Sequence, residues 1–145
     1  MTRSSPPNDR SLIRAWYGDY LRHCNAHRFD ELDRFVASDV SVNGAQVGLA
    51  EYIAGLRAVV DAFADYHWQL HHLLIDGDWL AVQLLDTGTH TGTHAGVAST
   101  GRRVHTHEFA LYRLNAGHIV EVWVTADDLD VVRQLQATPA DCPAD

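Results

Sequence analysis

The hydrophobic period of this 145-residue chain changes near its middle, and that change leaves few folds open. Between residues 11 and 63 the apolar residues recur at steps of three and four; between 66 and 125 they alternate. Side chains return to one helix face about every 3.6 residues and to one strand face every second residue. A helical half followed by an extended half predicts an α+β domain. Its form is a cone-shaped barrel, a curved and mostly antiparallel sheet wrapped on N-terminal helices around a central apolar cavity.

In the helical half, Leu12, Ile13, Trp16, Tyr17, Tyr20, Leu21 and Cys24 mark one face of a first helix, with Asp9 or Ser11 as candidate cap. FDELDRFVA suggests a short second helix, capped by Asp30 and turning Leu32, Phe35 and Val36 inward. A brief extended piece, Val40 to Asn43, passes through Gly44 and Gly48 into a third helix carrying Leu49, Tyr52, Ile53, Leu56, Val59, Val60 and Phe63. The extended half opens with YHWQLHHLLI, which sets Tyr66, Trp68, Leu70 and Leu74 on one face. A DGD turn leads into Leu80 to His90, a third strand runs from Arg102 to Leu114, and the turn Asn115 to Gly117 leads to a fourth, His118 to Thr125. Asp127 or Asp128 caps a last helix ending near Leu135. Residues 1–10 are read as a flexible arm, 11–136 as a single domain and 137–145 as a flexible tail.

Composition excludes several function classes. A formal charge of −8, from 11 Lys plus Arg against 19 Asp plus Glu, argues against a nucleic-acid partner, which needs a clustered basic face. No apolar run approaches the roughly 20 residues of a membrane span, and MTRSSPPNDR lacks the apolar centre of a signal peptide, so a cytoplasmic location is expected. Cys24 and Cys142 form no disulfide framework, and Cys24 reads as a small buried apolar residue. GxSxG, Walker and GxGxxG motifs and paired CxxC are absent, and nothing suggests an organic cofactor.

The chemically pointed stretch is Asp86 to Gly101, DTGTHTGTHAGVASTG, read as the wall and rim of a small-molecule pocket. Asp86 interrupts the apolar strand face of Leu80, Val82 and Leu84, where a carboxylate is costly to bury alone. Alternation places His90 on the same face, and His94 falls on the rim. Tyr17, Tyr20, Trp68 and Tyr112 offer stacking surface with a few polar tips. Among ten histidines, His105 and His107 form an HxH pair without the acidic third ligand such a site wants, so no metal is expected. With Phe109 and Leu111 they read as an exposed or subunit-facing strand face.

GTHTG at 88–92, TGR at 100–102, the turn AGHIVE at 116–121 and the closing VVRQL at 131–135 resemble the SnoaL-like polyketide cyclases of the nuclear transport factor 2-like superfamily. The resemblance covers the chain from the first helix to about Gln136 and has the same order of elements. It implies a cofactor-independent enzyme acting on a hydrophobic polyketide-like or related secondary metabolite, in a homodimer or larger assembly. In the aldol-type cyclases of that family an Asp and a His on the last two strands move protons; those positions fall here on Val124 and Ala110. If Ala110 faces the cavity, as the resemblance implies, then Thr106, Glu108 and Tyr112 share its face. Asp86, Glu108 and His90 are therefore the expected acid-base groups, with Tyr17, Tyr20, Trp68, Thr106, Ala110, Tyr112 and Val124 around the substrate. The alternatives are an epoxide-opening or hydrating enzyme or an isomerase in the same cavity, and a non-catalytic binding module.

Overall fold

The computed structural model describes residues 6–137, with side chains from residue 10, so Cys142, the arm up to residue 5 and the tail from 138 lie outside it. In chain order the elements are α1 (Pro6–Asn25), a 3-10 turn (Phe29–Arg34), β1 (Val36–Val42), β2 (Ala45–Gln46), α2 (Leu49–Ala62), β3 (His67–Asp76), β4 (Trp79–Thr89), β5 (Arg103–Asn115), β6 (His118–Ala126) and α3 (Asp128–Gln136). The helix-first, sheet-later order holds. The six strands form one sheet in the order β2-β1-β6-β5-β4-β3, antiparallel except where β1 runs parallel to β6.

Four local readings change. Helix α1 begins at Pro6, not near Ser11, because proline suits a first turn whose N–H groups have no intrahelical acceptor. Asp9 and Ser11 therefore sit inside it. The expected second helix is only a 3-10 turn, no side chain caps it, and Val36 already belongs to β1. Neither β2 nor the full length of β1 was expected. On β3 the pairing shifts between Leu70 and His72, so one extra residue reverses the alternation beyond it. Leu73 then faces the core and Leu74 lies exposed, contrary to the simple two-residue count.

The concave face of the sheet carries the core. Leu80, Val82 and Leu84 of β4, Ala110 and Tyr112 of β5, and Ile119 and Val122 of β6 meet Tyr17, Tyr20, Leu21 and Cys24 of α1 in one buried cluster. Each large apolar side chain so buried contributes about 1.5–3 kcal/mol. The edge of β3 is covered at Trp68, where the Asn25 amide exchanges hydrogen bonds with the Trp68 backbone (2.8 and 3.0 Å). That tie fixes the end of α1 to β3.

Helix α2 covers the same face more lightly: Ala62 is its one buried residue, while Tyr52, Ile53, Leu56, Val59 and Val60 are half-buried against the core. Its C-terminal end is plugged by the segment after β4. The N–H groups of Thr91 and Gly92 donate to Ala62 O (2.9 and 3.0 Å), and Ala64 N–H donates to Thr91 Oγ1 (3.1 Å). A Cβ at Gly92 would stand 2.2 Å from Asp61 O, so only glycine lets the two backbones approach. Helix α3 is capped by Asp127, whose side chain accepts the Asp130 N–H, one of the two caps expected from the sequence.

Candidate active site

The inward row of β4 runs Leu80, Val82, Leu84, Asp86, Gly88, with His90 just past its end, and that of β5 runs Val104, Thr106, Glu108, Ala110, Tyr112. Leu84 pairs with Glu108 and Asp86 with Thr106, which makes Asp86 and Glu108 diagonal neighbours on one face. Such positions stand roughly 7–8 Å apart at most, a gap two carboxyl side chains can close. Asp86 is fully buried.

Hydrogen bonding singles out this carboxyl pair. Tyr66 O–H donates to Asp86 Oδ2 at 2.9 Å. No N–H or O–H among the described residues reaches Asp86 Oδ1. The group placed nearest to do so is Glu108, its diagonal neighbour, which can donate only when protonated. Burial, the largest cause, and then the Asp86 carboxyl push Glu108 well above the ordinary carboxylate range. Burial also raises Asp86, opposed by the hydrogen bonds from Glu108 and Tyr66 and by His107 and His67 nearby. Two acidic groups of this kind titrate as a unit, with the proton favoured on Glu108.

Glu108 opens onto a partly open cavity of about 100 Å³. Leu84, Val122 and Val124 form its floor, Trp68, Tyr20 and Tyr112 its walls, and Tyr52 and Leu56 of α2 its cover. Glu108 is the one acidic side chain in that lining, and no basic side chain joins it. The tyrosine hydroxyls pair off, Tyr17 with Tyr112 at 3.1 Å and Tyr20 with Tyr52 across the gap between α1 and α2. Burial, chiefly, raises all four well above the usual phenol range, so they act as neutral donors.

Of the residues expected around a substrate, Tyr20, Trp68, Tyr112 and Val124 line the cavity and three do not. Tyr17 stands behind Tyr112, Ala110 is packed in the core, and Thr106 turns its hydroxyl to Asp127 O (3.4 Å). His90 is fully buried but is not tied to the carboxyl pair. Its Nδ1 accepts the Thr100 N–H (3.1 Å) and meets Thr100 Oγ1 (2.9 Å), while its backbone exchanges hydrogen bonds with Gly101 and Arg102. Phe63 and Tyr66 crowd Gly88, the position between His90 and Asp86. His90 thus fastens the 91–101 excursion instead of reaching Glu108. His94 packs edge-on against Phe63. Among the described residues no cluster of three metal-ligating side chains occurs.

Tyr66 and Tyr52 were not foreseen as site residues. Tyr52 had only its helical period to offer, and Tyr66 its place on one face of an alternating run; either signal fits plain core packing. Val124 and Ala110, where the aldol-type pair falls, are direct cross-strand partners. The two positions meet, and both are apolar.

Residues 12–135 match the family model for SnoaL-like polyketide cyclase. A SnoaL-like polyketide cyclase from Agrobacterium tumefaciens is 30% identical, covering 85% of this chain and 97% of that one, with a TM-score of 0.77. TsrD from Streptomyces laurentii is 21% identical over 89% of this chain and 98% of its own, with a TM-score of 0.81. IdmH from Streptomyces antibioticus is 20% identical over 92% of this chain and all (100%) of its own, with a TM-score of 0.77. No curated protein sequence is similar enough to match.

Proposed function

The chain belongs to the SnoaL-like polyketide cyclase family, and from that premise we propose that it is a cofactor-independent cyclase of a hydrophobic, polyketide-like secondary metabolite, using Glu108 and Asp86 for proton transfer. The observation that carries this reading is the carboxyl pair itself: Glu108 facing a largely apolar cavity, with Asp86 buried behind it and held by Tyr66.

The pair starts with one proton. Glu108 is the resting holder of that proton; once it has passed to Asp86, ionised Glu108 removes a proton from the carbon beside a substrate carbonyl, breaking the C–H bond and leaving an enolate. The enolate carbon attacks a second carbonyl of the same molecule, forming the ring bond, and Glu108 returns its proton to the resulting alkoxide. Charge and protons balance with no water, metal or redox partner. General acid-base help of this kind contributes roughly 10²- to 10⁴-fold, and holding the chain in its folded-back conformer adds to it. Asp86 takes part through Glu108 and sets its proton affinity.

A space of about 100 Å³ holds only a small ring system, whereas ligand pockets commonly measure about 300–1,000 Å³. A polyketide-sized substrate therefore enters with α2 displaced, and the half-buried face of that helix is the part of the cover that yields most readily. A cytoplasmic location and a homodimer joined through the outer sheet face complete the proposal. Among the described residues no helix is long and apolar enough to cross a membrane.

The test is turnover of linear poly-β-keto esters by Glu108→Gln and Asp86→Asn. Turnover falls at least about 100-fold in Glu108→Gln while ligand binding persists, and falls in Asp86→Asn with an altered pH profile. Unchanged turnover in both variants, or incorporation of oxygen from labelled water into the product, sinks the cyclase reading.

A further inference from the structure

The hydroxyls that line the cavity contain more donors than the protein uses. When two tyrosine hydroxyls face each other, one donates and the other accepts, and the acceptor's own proton is left over. Tyr20 and Tyr52 form such a pair. The thiol of Cys24 lies against Tyr20, but sulfur accepts weakly, and burial pushes this thiol up to about 12. At least one O–H of the group thus has no strong acceptor among the described residues. Both tyrosines line the same cavity as Glu108. They arrive from α1 and α2, whereas Glu108 arrives from the sheet. Of the rest of the lining, Leu21, Leu56, Leu84, Val122 and Val124 supply neither donor nor acceptor, the Tyr112 hydroxyl is paired with Tyr17, and the Trp68 indole N–H is the remaining donor.

We propose that the Tyr20–Tyr52 hydroxyl pair is the oxygen-binding subsite of the cavity, taking the carbonyl oxygen of a neutral, otherwise apolar ligand between the helices and Glu108. A donor-rich pocket without a cation selects ligands that bring acceptors and no net charge, hence ketones, esters and their enols over amines or free carboxylates. The inference rests on the cavity as the ligand site and deepens the cyclase reading. Donors fixed at that point strengthen their hold as charge moves from the α-carbon onto the oxygen, the change that enolate formation brings. The pair also bridges α1 to α2. A ligand oxygen that enters between the hydroxyls replaces the helix-to-helix hydrogen bond with two bonds to itself.

The probe is 2-cyclohexenone labelled with carbon-13 at the carbonyl, small enough for the cavity. Its bound carbonyl resonance is read by NMR in the wild type, in Tyr20→Phe/Tyr52→Phe and in Glu108→Gln. The wild type shifts the resonance downfield of its position in hydrocarbon solvent. The double variant, which keeps both rings, loses most of that shift and binds up to roughly tenfold more weakly, as expected for a neutral hydrogen bond. Glu108→Gln keeps the shift. If the double variant does not fold, Tyr52→Phe alone gives a partial upfield move. The proposal is overturned by a shift that survives loss of both hydroxyls, by its disappearance in Glu108→Gln, by tighter binding of cyclohexylamine than of the ketone, or by no saturable ketone binding. Loss of turnover plays no part in this readout, so a failed cyclase assignment and a failed oxygen subsite give different results.

Discussion

At the scale of single residues, a carboxyl group that keeps its proton in the folded state marks stability as well as rate. Glu108 has a raised folded-state pKa, because burial and Asp86 disfavour its ionised form. The folded protein therefore binds more protons than the unfolded chain once the pH passes the unfolded pKa of about 4.3. The stability is complete below that value and is lost progressively as the pH rises through the raised folded-state pKa. Each tenfold change in proton affinity corresponds to about 1.4 kcal/mol. Glu108→Gln keeps the shape without the titration, so its melting temperature should exceed that of the wild type at pH 8 and approach it at pH 4. A parallel pH dependence in both proteins, followed by thermal denaturation, would show that Glu108 titrates normally. Tyr66 acts in the opposite sense on its neighbour, since its O–H stabilises ionised Asp86. Tyr66→Phe should raise the Asp86 pKa further, move the ascending limb of the kcat profile to higher pH, and lower kcat about tenfold at neutral pH. An unmoved limb would place Tyr66 outside the proton path.

At the scale of elements, the junction between α2 and the segment after β4 decides whether the cover of the cavity stays in register with the strand that carries Asp86. Gly92 is its closest point, with Asp61 O where a Cβ would sit, whereas nothing lies within 4 Å of a Cβ at Gly55, also on α2's course. Gly92→Ala should cost about 1–3 kcal/mol by forcing the backbones apart, and Gly55→Ala should stabilise by about 0.5–1 kcal/mol as an ordinary glycine replacement in a helix. Chemical denaturation of the two variants checks both signs, and a neutral Gly92→Ala would mean that the junction adjusts freely. Which elements were legible follows the same logic. The row Leu80, Val82, Leu84, Asp86, His90 was readable because β4 alternates without interruption. The outward turn of Leu74 was not, because the extra residue at the β3 bulge lies in a run, LHHLL, whose apolar pattern fits either parity. The meeting of Asp86 with Glu108 came from parity plus the family resemblance. The contribution of Tyr52 needed the rotation of α2, and the role of His90 needed the fold-back of residues 99–102, neither of which spacing encodes.

At the scale of the whole molecule, the same bulge shapes the outer face of the sheet. By turning Leu74 outward it sets that residue beside Ala81, which pairs with Leu111, which pairs with Trp123. The result is an apolar row across four strands, with Leu74 70%, Leu111 39% and Trp123 44% exposed, and Phe109 beside it at 54%. Contiguous apolar surface of this kind on a soluble domain marks a contact face. The polar frame is ordered too: Gln83 joins His72 (2.6 Å) to His107 (3.0 Å) across β3, β4 and β5, and Glu121 accepts from the Trp123 indole (2.6 Å). A second copy related by a two-fold axis would lay row against row, each face meeting its own equivalent, as closed symmetric dimers require. Trp123→Glu places a charge in the middle of that row without touching the concave core, where Val122 and Val124 face the cavity. Sedimentation velocity should therefore give a dimer for the wild type and a monomer for Trp123→Glu, with unchanged circular dichroism and an intact ketone-binding shift. A wild type that sediments as a monomer at tens of micromolar would remove the outer face from the assembly while leaving the cavity and its carboxyl pair as they stand.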